Sequence, residues 1–396
     1  MSGRFASSSA MSEVTIRPVT TKAERKAFID FVWEVYRDDP AWVPPLKSEV
    51  HALLDPTENP WFGHGRAALF LAERAGQLVG RISAQVDDLV QIHMEPNLGQ
   101  WGLFEALDGQ TAAALIAHAE HWLRGEGMTK ALGPISISIW DEPGLLIDGF
   151  DQPPMVMMGH HRPEYRAWIE AAGYIKAKDL YTYELDIRVD MVPLIDRLIK
   201  AGEKNPRIRI REVDKSKFAS EAAIIMGLLN DAWSDNWGYV PLTEAEISYA
   251  GKKLKPIIFN DLVRIAEVAT GPEADAIFEP AAFMITIPDV NEMIADLDGR
   301  LFPFGWAKLL WRLRNPRTRR VRVPLMGVAS KYQGTRLSAQ LAFMLIEFTR
   351  RVCVEKYGVH TGEFGWVLED NQGMMSIAQL PGANINHTYR IYEKMI

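Results

Sequence analysis

The chain contains a single cysteine, Cys353, in 396 residues. That excludes a disulfide framework and a cysteine-ligated zinc site. It also lacks any run near the roughly 18 consecutive apolar residues of a membrane-crossing helix. Met1 to Ala10 carry no apolar core of a secretory signal, so a cytoplasmic location is expected. Positive charge is in deficit: the net charge of −7 argues against a general nucleic-acid binder, and no nucleic-acid partner is expected. What is present is ordinary globular material, 47% hydrophobic and 24% charged. The length suits two domains of about 100–200 residues each.

Two halves repeat one order of elements. In the first, Val14–Val19 alternates as a strand and a helical segment runs from Thr21 to Tyr36. Ala67–Arg74 and Leu78–Val86 read as a strand pair around Gly76-Gln77, followed by a strand over Trp101–Leu107. Asp108 is placed to cap a helix over Thr111–Arg124, with a short helix at Pro163–Ala172 and a strand at Asp179–Ile187 beyond it. The second half runs strand Arg207–Val213, helix Ser216–Trp233, strands Leu262–Ala269 and Ala281–Ile287, and strand Arg320–Ala329. Then come helix Arg336–Lys356, strand Glu363–Leu368, a short helix near Met374–Gln379 and strand Asn386–Glu393. Such an internal duplication sets the frame for the fold. The expected division is a flexible tail over 1–12, a domain over 13–188, a partly helical linker over 189–206 and a second domain over 207–396.

The densest motif is Val323-Pro-Leu-Met-Gly-Val-Ala-Ser-Lys-Tyr-Gln-Gly-Thr-Arg-Leu337, a strand running through a glycine loop into a helix. Backbone N–H groups at such a helix start face an anion, and glycine lets the backbone approach it closely. With the order of elements around it, this segment resembles the GNAT acyltransferase superfamily. The implied fold is α/β: two tandem GNAT-like domains, each a mixed, mostly antiparallel twisted sheet flanked by helices. The resemblance implies acyl-CoA as co-substrate, held by Met326, Gly327, Val328, Lys331, Tyr332, Gln333, Gly334, Thr335, Arg336 and Asn371. Arg336 stands where the superfamily usually has glycine or alanine. Where a superfamily tyrosine acid often follows Asn371, this chain has Ala378. In the first half the loop has shrunk to Leu107-Asp-Gly109, and its aspartate repels phosphate, so that half reads as a degenerate copy.

Acyl transfer to an amine needs a proton acceptor for the amine, a polarised carbonyl and a proton for the leaving thiolate. Glu363 or Glu369 is placed for the first role, backbone N–H groups near Met326–Val328 for the second, and Tyr389 or Tyr392 for the third. Asn236, Trp237, Tyr239, Asp289, Asn291 and Trp366 are the candidate acceptor-binding residues. Trp140–Leu146 and Met155–His161 are candidates to line the cleft from the first half, with His160 and His161 read as surface loop. No metal site is expected, since the His pair lacks a third ligand at a recognised spacing.

One stretch departs from the acidic average. Leu301 to Arg322 carry seven basic residues and no acid, so the rest of the chain would stand at −14 without them. Phe302, Trp306, Leu309, Leu310 and Leu313 recur there at helical spacing, the pattern of a basic amphipathic insertion over 300–320. It reads as contact with a membrane surface, on the inner face of the cell membrane, or alternatively as core docking with arginines aimed at coenzyme phosphates. Together with the tandem order, it makes the chain similar to the bacterial ceramide synthases. That resemblance implies N-acylation of a long-chain lipid amine, with a soluble small-amine acetyltransferase or a non-catalytic acyl-CoA-binding protein as alternatives.

Overall fold

The computed structural model describes residues 13–272, 276–314 and 316–396. The expected tail over 1–12 lies outside the described residues. The first half supplies strands β1 (Thr15–Pro18), β2 (Gly65–Arg74), β3 (Gln77–Asp87), β4 (Leu98–Ala106) and β5 (Lys130–Gly133). It continues with β6 (Ile135–Ser136), β7 (Glu142–Pro143), β8 (Leu145–Asp148) and β9 (Ile175–Asp186). The second half supplies β10 (Ile208–Glu212), β11 (Val263–Thr270), β12 (Ile277–Pro288), β13 (Arg320–Val328), β14 (Thr361–Leu368) and β15 (Asn384–Met395).

Helices α1 (Lys22–Val35), α2 (Lys47–Leu53), α3 (Asp88–His93), α4 (Gly109–Gly125) and α5 (Glu164–Ala171) belong to the first half. Next are α6 (Pro193–Glu203), α7 (Phe218–Trp233), α8 (Glu244–Leu254) and α9 (Val290–Ile294). Last are α10 (Gly305–Arg314), α11 (Arg336–Glu355) and α12 (Gln372–Gln379). Local signals set several of these boundaries. Thr21-x-x-Glu24 and Thr243-x-x-Glu246 are reciprocal capping boxes that start α1 and α8. Asp108 caps α4 by accepting from Thr111 N, and Arg74 pairs with the same carboxylate at 2.6 Å.

Thirteen of the described strands form one mixed, mostly antiparallel sheet in the order β1-β2-β3-β4-β5-β15-β9-β14-β13-β12-β11-β10, with β8 on β15. Only β4 with β5 and β13 with β14 run parallel. The halves exchange their last strands: β15 pairs with β5, and β9 pairs with β14. A seam core of Leu146, Leu180, Leu368, Tyr389 and Ile391 therefore draws on both halves. On one face of the second half, Leu341, Phe343 and Leu345 of α11 pack against Met284, Met326 and Phe364. On the other face α7 brings Ile225 and Leu229 against Ile265 and Phe283.

The basic insertion divides its charges. Lys308 and Arg312 both pair with Asp296, and Arg320 pairs with Asp289 at 2.5 Å and Glu292 at 3.3 Å. Arg322 is 2% exposed inside the sheet. Because strand residues two apart share a face, both Arg320 and Arg322 turn inward. Arg314, Arg317 and Arg319 are exposed and, among the described residues, make no ion pair. The helix α10 docks through Leu309 and Leu313 on Met293, Ile294 and Leu297. Its opposite side leaves Phe302 81% and Trp311 65% exposed, with Phe304 and Trp306 beside them.

Candidate active site

Parallel pairing of β13 with β14 runs only from Arg320 opposite Thr361 to Val323 opposite Phe364. Beyond that point each strand stays with its other neighbour. β13 follows β12 as far as Val328, and β14 follows β9 as far as Leu368 opposite Leu180. Pro324 stands at the parting, where it can donate nothing to a ladder. Val323, Met326, Phe364, Val367 and Met374 line the resulting gap. So do Asn236, Trp237, Tyr239, Trp366 and Asn371, far apart in the chain but gathered here.

At the end of β13 the chain turns through Ser330–Tyr332 and Gly334 into α11. Gly334 has φ +72 with no atom within 4 Å of where a Cβ would sit, so the backbone there is bare. Thr335 caps the helix through Ser338 N, and Lys331, Gln333 and Arg336 are exposed around it. Tyr332 is half-buried against the core. Arg336 therefore does not obstruct the loop. Lys331 pairs with Glu279 at 3.0 Å, and Asp231 accepts from Ser330 N and Oγ. An open glycine, a helix start and two cations fit a phosphate group. Asn371 caps α12 through Met374 N, while Ala378 is fully buried and carries no acid.

On the α7 face lies a second, larger cavity of about 370 Å³, within the range of small-molecule sites. Its walls are mostly apolar: Phe218, Ile225, Leu229 and Leu254 from α7 and α8, and Ile285, Ile287 and Leu325 from the sheet. Trp140, Trp233, Pro324 and Trp366 line both the gap and this cavity, so the two spaces adjoin. Ionisable groups stand among them, Asp141, Glu221, Glu246, Lys253 and Arg322 included. Asp141, which accepts from Ser138 Oγ at 2.6 Å, has its carboxyl pushed up to about 6 by burial.

Beneath a roof formed by residues 152–157 of the first half, a row of buried polar groups crosses the sheet. Arg320 and Arg322 donate to the carbonyls of Pro153 and Val156. Asp289 accepts from Val156 N at 3.0 Å, and Asn291 donates to Pro154 O at 2.9 Å. Glu363 is 1% exposed; its Oε2 accepts from Asn386 at 2.8 Å and lies 3.8 Å from His387 Nδ1, and its Oε1 has no partner. Burial pushes the Glu363 carboxyl up and the His387 imidazole down.

Several expected residues fall elsewhere. Glu369 lies outside both spaces and is engaged by Lys176 at 2.6 Å and by Asp179 N. Tyr392 sits in the first-half core with its hydroxyl on Glu170. Tyr389 is buried and donates to Gly159 O at 2.9 Å, its own pKa driven well up by burial. Asp289 and Asn291 hold the roof and line neither space, because the short helix they start is capped by Asp289 itself. His160 and His161 are buried, not surface loop: His160 Nε2 meets Asp39 at 2.8 Å, and His161 accepts from Leu146 N. The reading of charge in bulk missed Arg322; period-two alternation from Arg320 was the signal. Among the described residues no group of three His, Cys, Asp or Glu is arranged to hold a metal.

Comparison with known proteins now decides the family. A bacterial ceramide synthase of Caulobacter vibrioides is 41% identical over 390 residues, 98% of this chain and 99% of that one. The chain belongs to the bacterial ceramide synthase family. A second relative, Protein YghO of Escherichia coli, is 41% identical over 384 residues, 96% of this chain and 95% of its own. No family model matches the chain. Among solved structures, a tandem GNAT protein from the clavulanic acid biosynthesis pathway superposes with TM-score 0.55 at 14% identity, over 97% of this chain and 98% of that one. A GCN5-related N-acetyltransferase from Sphaerobacter thermophilus gives 0.53 at 12%, over 96% and 95%. The fold is thus the tandem GNAT fold, and together with the ceramide synthase relative it makes this chain an N-acyltransferase.

Proposed function

We propose that the protein transfers a long acyl group from acyl-CoA to the amine of a long-chain base, as a ceramide synthase does. The observation that carries this reading is the apolar cavity of about 370 Å³ adjoining the strand gap. An acceptor no larger than a small polar amine leaves those walls without a ligand. The coenzyme's phosphates lie on the Gly334 loop, between Lys331 and Arg336, and its thioester reaches the parting of β13 and β14. Free N–H groups on the β13 edge beyond Pro324 polarise the carbonyl. Glu363, with Oε1 unpartnered, takes the amine proton through a water. The leaving thiolate takes its proton from solvent or the amine, since Tyr389 is committed to Gly159 O.

The exposed aromatic side of α10, with Arg314, Arg317 and Arg319 beside it, supports contact with an anionic membrane surface. No helix among the described residues is long and apolar enough to cross a membrane. Both ends of the reaction are tested by thiol release from acyl-CoA. Release should depend on an added long-chain amine and fall when either chain is shortened to a few carbons. Equal rates with acetyl-CoA and a short amine would sink the lipid reading while keeping acyl transfer.

A further inference from the structure

Acyl transfer to an amine leaves a proton behind. An alkylamine, like the lysine side chain, is an ammonium near neutral pH. An ammonium and a thioester become an amide, a thiol and one free proton. Glu363 is buried under the roof, so a proton it receives must travel before the next turnover. The strand register shows a route. Arg322 lies opposite Glu363 on β13, Glu184 lies opposite it on β9, and Asn384 lies opposite Glu184 on β15. Directly opposite residues share one face of a sheet, so these four form a polar row across four strands. Its inner end, Arg322, stands on the cavity wall. At its outer end Glu184 is half-buried and Asn384 is exposed. Tyr183 and Leu185, on either side of Glu184, turn to the other face and pack with the α11 core.

We propose that Glu184 is the exit for the proton of acyl transfer, taking it from Glu363 and handing it to solvent at the outer end of the row. This rests on the acyl-transfer reading above, with Glu363 as its base. The nitrogen bonds to the acyl carbon as the C–S bond breaks; one of its protons goes to sulfur and the other, through a water, to Glu363. The Glu363 O–H then breaks as a Glu184 O–H forms, and Glu184 releases the proton to water, so both carboxylates end as they began. Glu184 touches no substrate; it is a positioning residue that acts through Glu363. Glu363, Arg320 and His387 are the charged and titratable groups that face it, and among the described residues it makes no ion pair. Burial, and then Glu363, push its carboxyl up, so it takes a proton more readily than a surface glutamate. Two neighbouring carboxylates resist double ionisation, which favours one proton held between them. His387, 3.8 Å from Glu363, is the poorer exit: it is 2% exposed, and burial lowers its imidazole.

The test follows kcat for one long-chain amine with one long-chain acyl-CoA. Glu184→Gln keeps the size of the side chain but cannot carry a proton. Its kcat should fall roughly tenfold or more, since positioned proton-transfer groups contribute about 10²- to 10⁴-fold. KM for the amine and affinity for acyl-CoA should not move. In this variant kcat should keep climbing with pH where the natural protein is level, because hydroxide must then collect the proton. Glu184→Ala opens the same position, and added formate, a carboxylate small enough to enter it, should restore most of the rate while leaving the natural protein unaffected. Natural kcat at every pH in Glu184→Gln overturns the proposal. So does a loss that formate does not rescue in Glu184→Ala, or one that appears in KM, because each marks a residue that merely holds the sheet. Should Glu184→Ala not fold, the pH profile of Glu184→Gln decides alone. Full activity in Glu363→Gln removes the base reading itself, an outcome distinct from an inactive Glu363→Gln beside a fully active Glu184→Gln.

Discussion

The Trp140 ring stacks on Trp233 with centroids 6.2 Å apart and planes 11° from parallel. One comes from the first half and the other from the end of α7, and together they form a wall shared by the gap and the cavity. Each is fixed by its indole N–H: Trp140 donates to Val240 O at 2.8 Å, and Trp233 to Met326 O at 3.0 Å. Trp140→Ala should therefore cost about 3 kcal/mol in chemical denaturation, as for a large aromatic truncated in a packed site. In steady-state kinetics it should raise KM for a long-chain amine more than it lowers kcat. An unchanged KM would separate the cavity from the acceptor.

Gly334→Asp tests the phosphate loop. The position is open, so stability should fall by only about 1–2 kcal/mol, the strain of a side chain at positive φ. The carboxylate would stand where phosphate belongs, and acyl-CoA affinity measured by calorimetry should drop at least roughly tenfold. Gly334→Ala controls for strain alone. Equal affinity in natural protein and Gly334→Asp would mean that the coenzyme lies elsewhere.

Membrane contact separates into two components. Replacing Arg314, Arg317 and Arg319 with glutamate removes three basic residues worth about 1 kcal/mol each near an anionic surface, or roughly two orders of magnitude in association. Arg320 is left intact because it is engaged inside the protein. Trp306→Ala with Trp311→Ala should weaken binding at high salt as well, since apolar insertion is not screened. Co-sedimentation with anionic vesicles reads both. Natural protein remaining in the supernatant at low salt would assign α10 to another role.

Stability should decline with rising pH through the range set by Glu105. Burial pushes its carboxyl up to about 7, though Tyr36 and Tyr165 donate to it at 2.9 and 2.7 Å. The folded state then holds a proton that the unfolded state, titrating near 4.5, has released. This contribution is full below about 4.5 and is lost as pH climbs through about 7. Comparing Tm from pH 4.5 to 8, Glu105→Gln should flatten that decline. Parallel curves for the two proteins would show that Glu105 does not cause it.

Local signals in the sequence reached far, and distant pairings did not. The run from Val323 to Leu337 showed its strand, loop and helix because each step has its own residue chemistry: alternation, an open glycine, and Thr335 as cap. Asp108 was legible as a cap for the same reason. Nothing local, however, tells β15 to join β5, or β9 to join β14, since alternation sets a strand's face and not its neighbour. The roof contacts of Asp289 and Asn291 with residues 154 and 156 were hidden for the same reason. Thr243-x-x-Glu246 is the capping box of α8, yet α8 is absent from the order of elements read off the sequence, and only packing reveals it as a cavity wall. Glu363 could be nominated from the sequence, but not its isolation under a roof built by the other half.

The most direct measurement is the product itself. Purified protein, a long-chain acyl-CoA and a long-chain 2-amino alcohol, presented in anionic vesicles, should yield the N-acyl amide by mass spectrometry, with one free coenzyme A for each amide. Glu363→Gln should lower that yield at least roughly a hundredfold while leaving acyl-CoA binding unchanged. Coenzyme A released without amide, or an acyl group found on oxygen and not on nitrogen, would contradict the account.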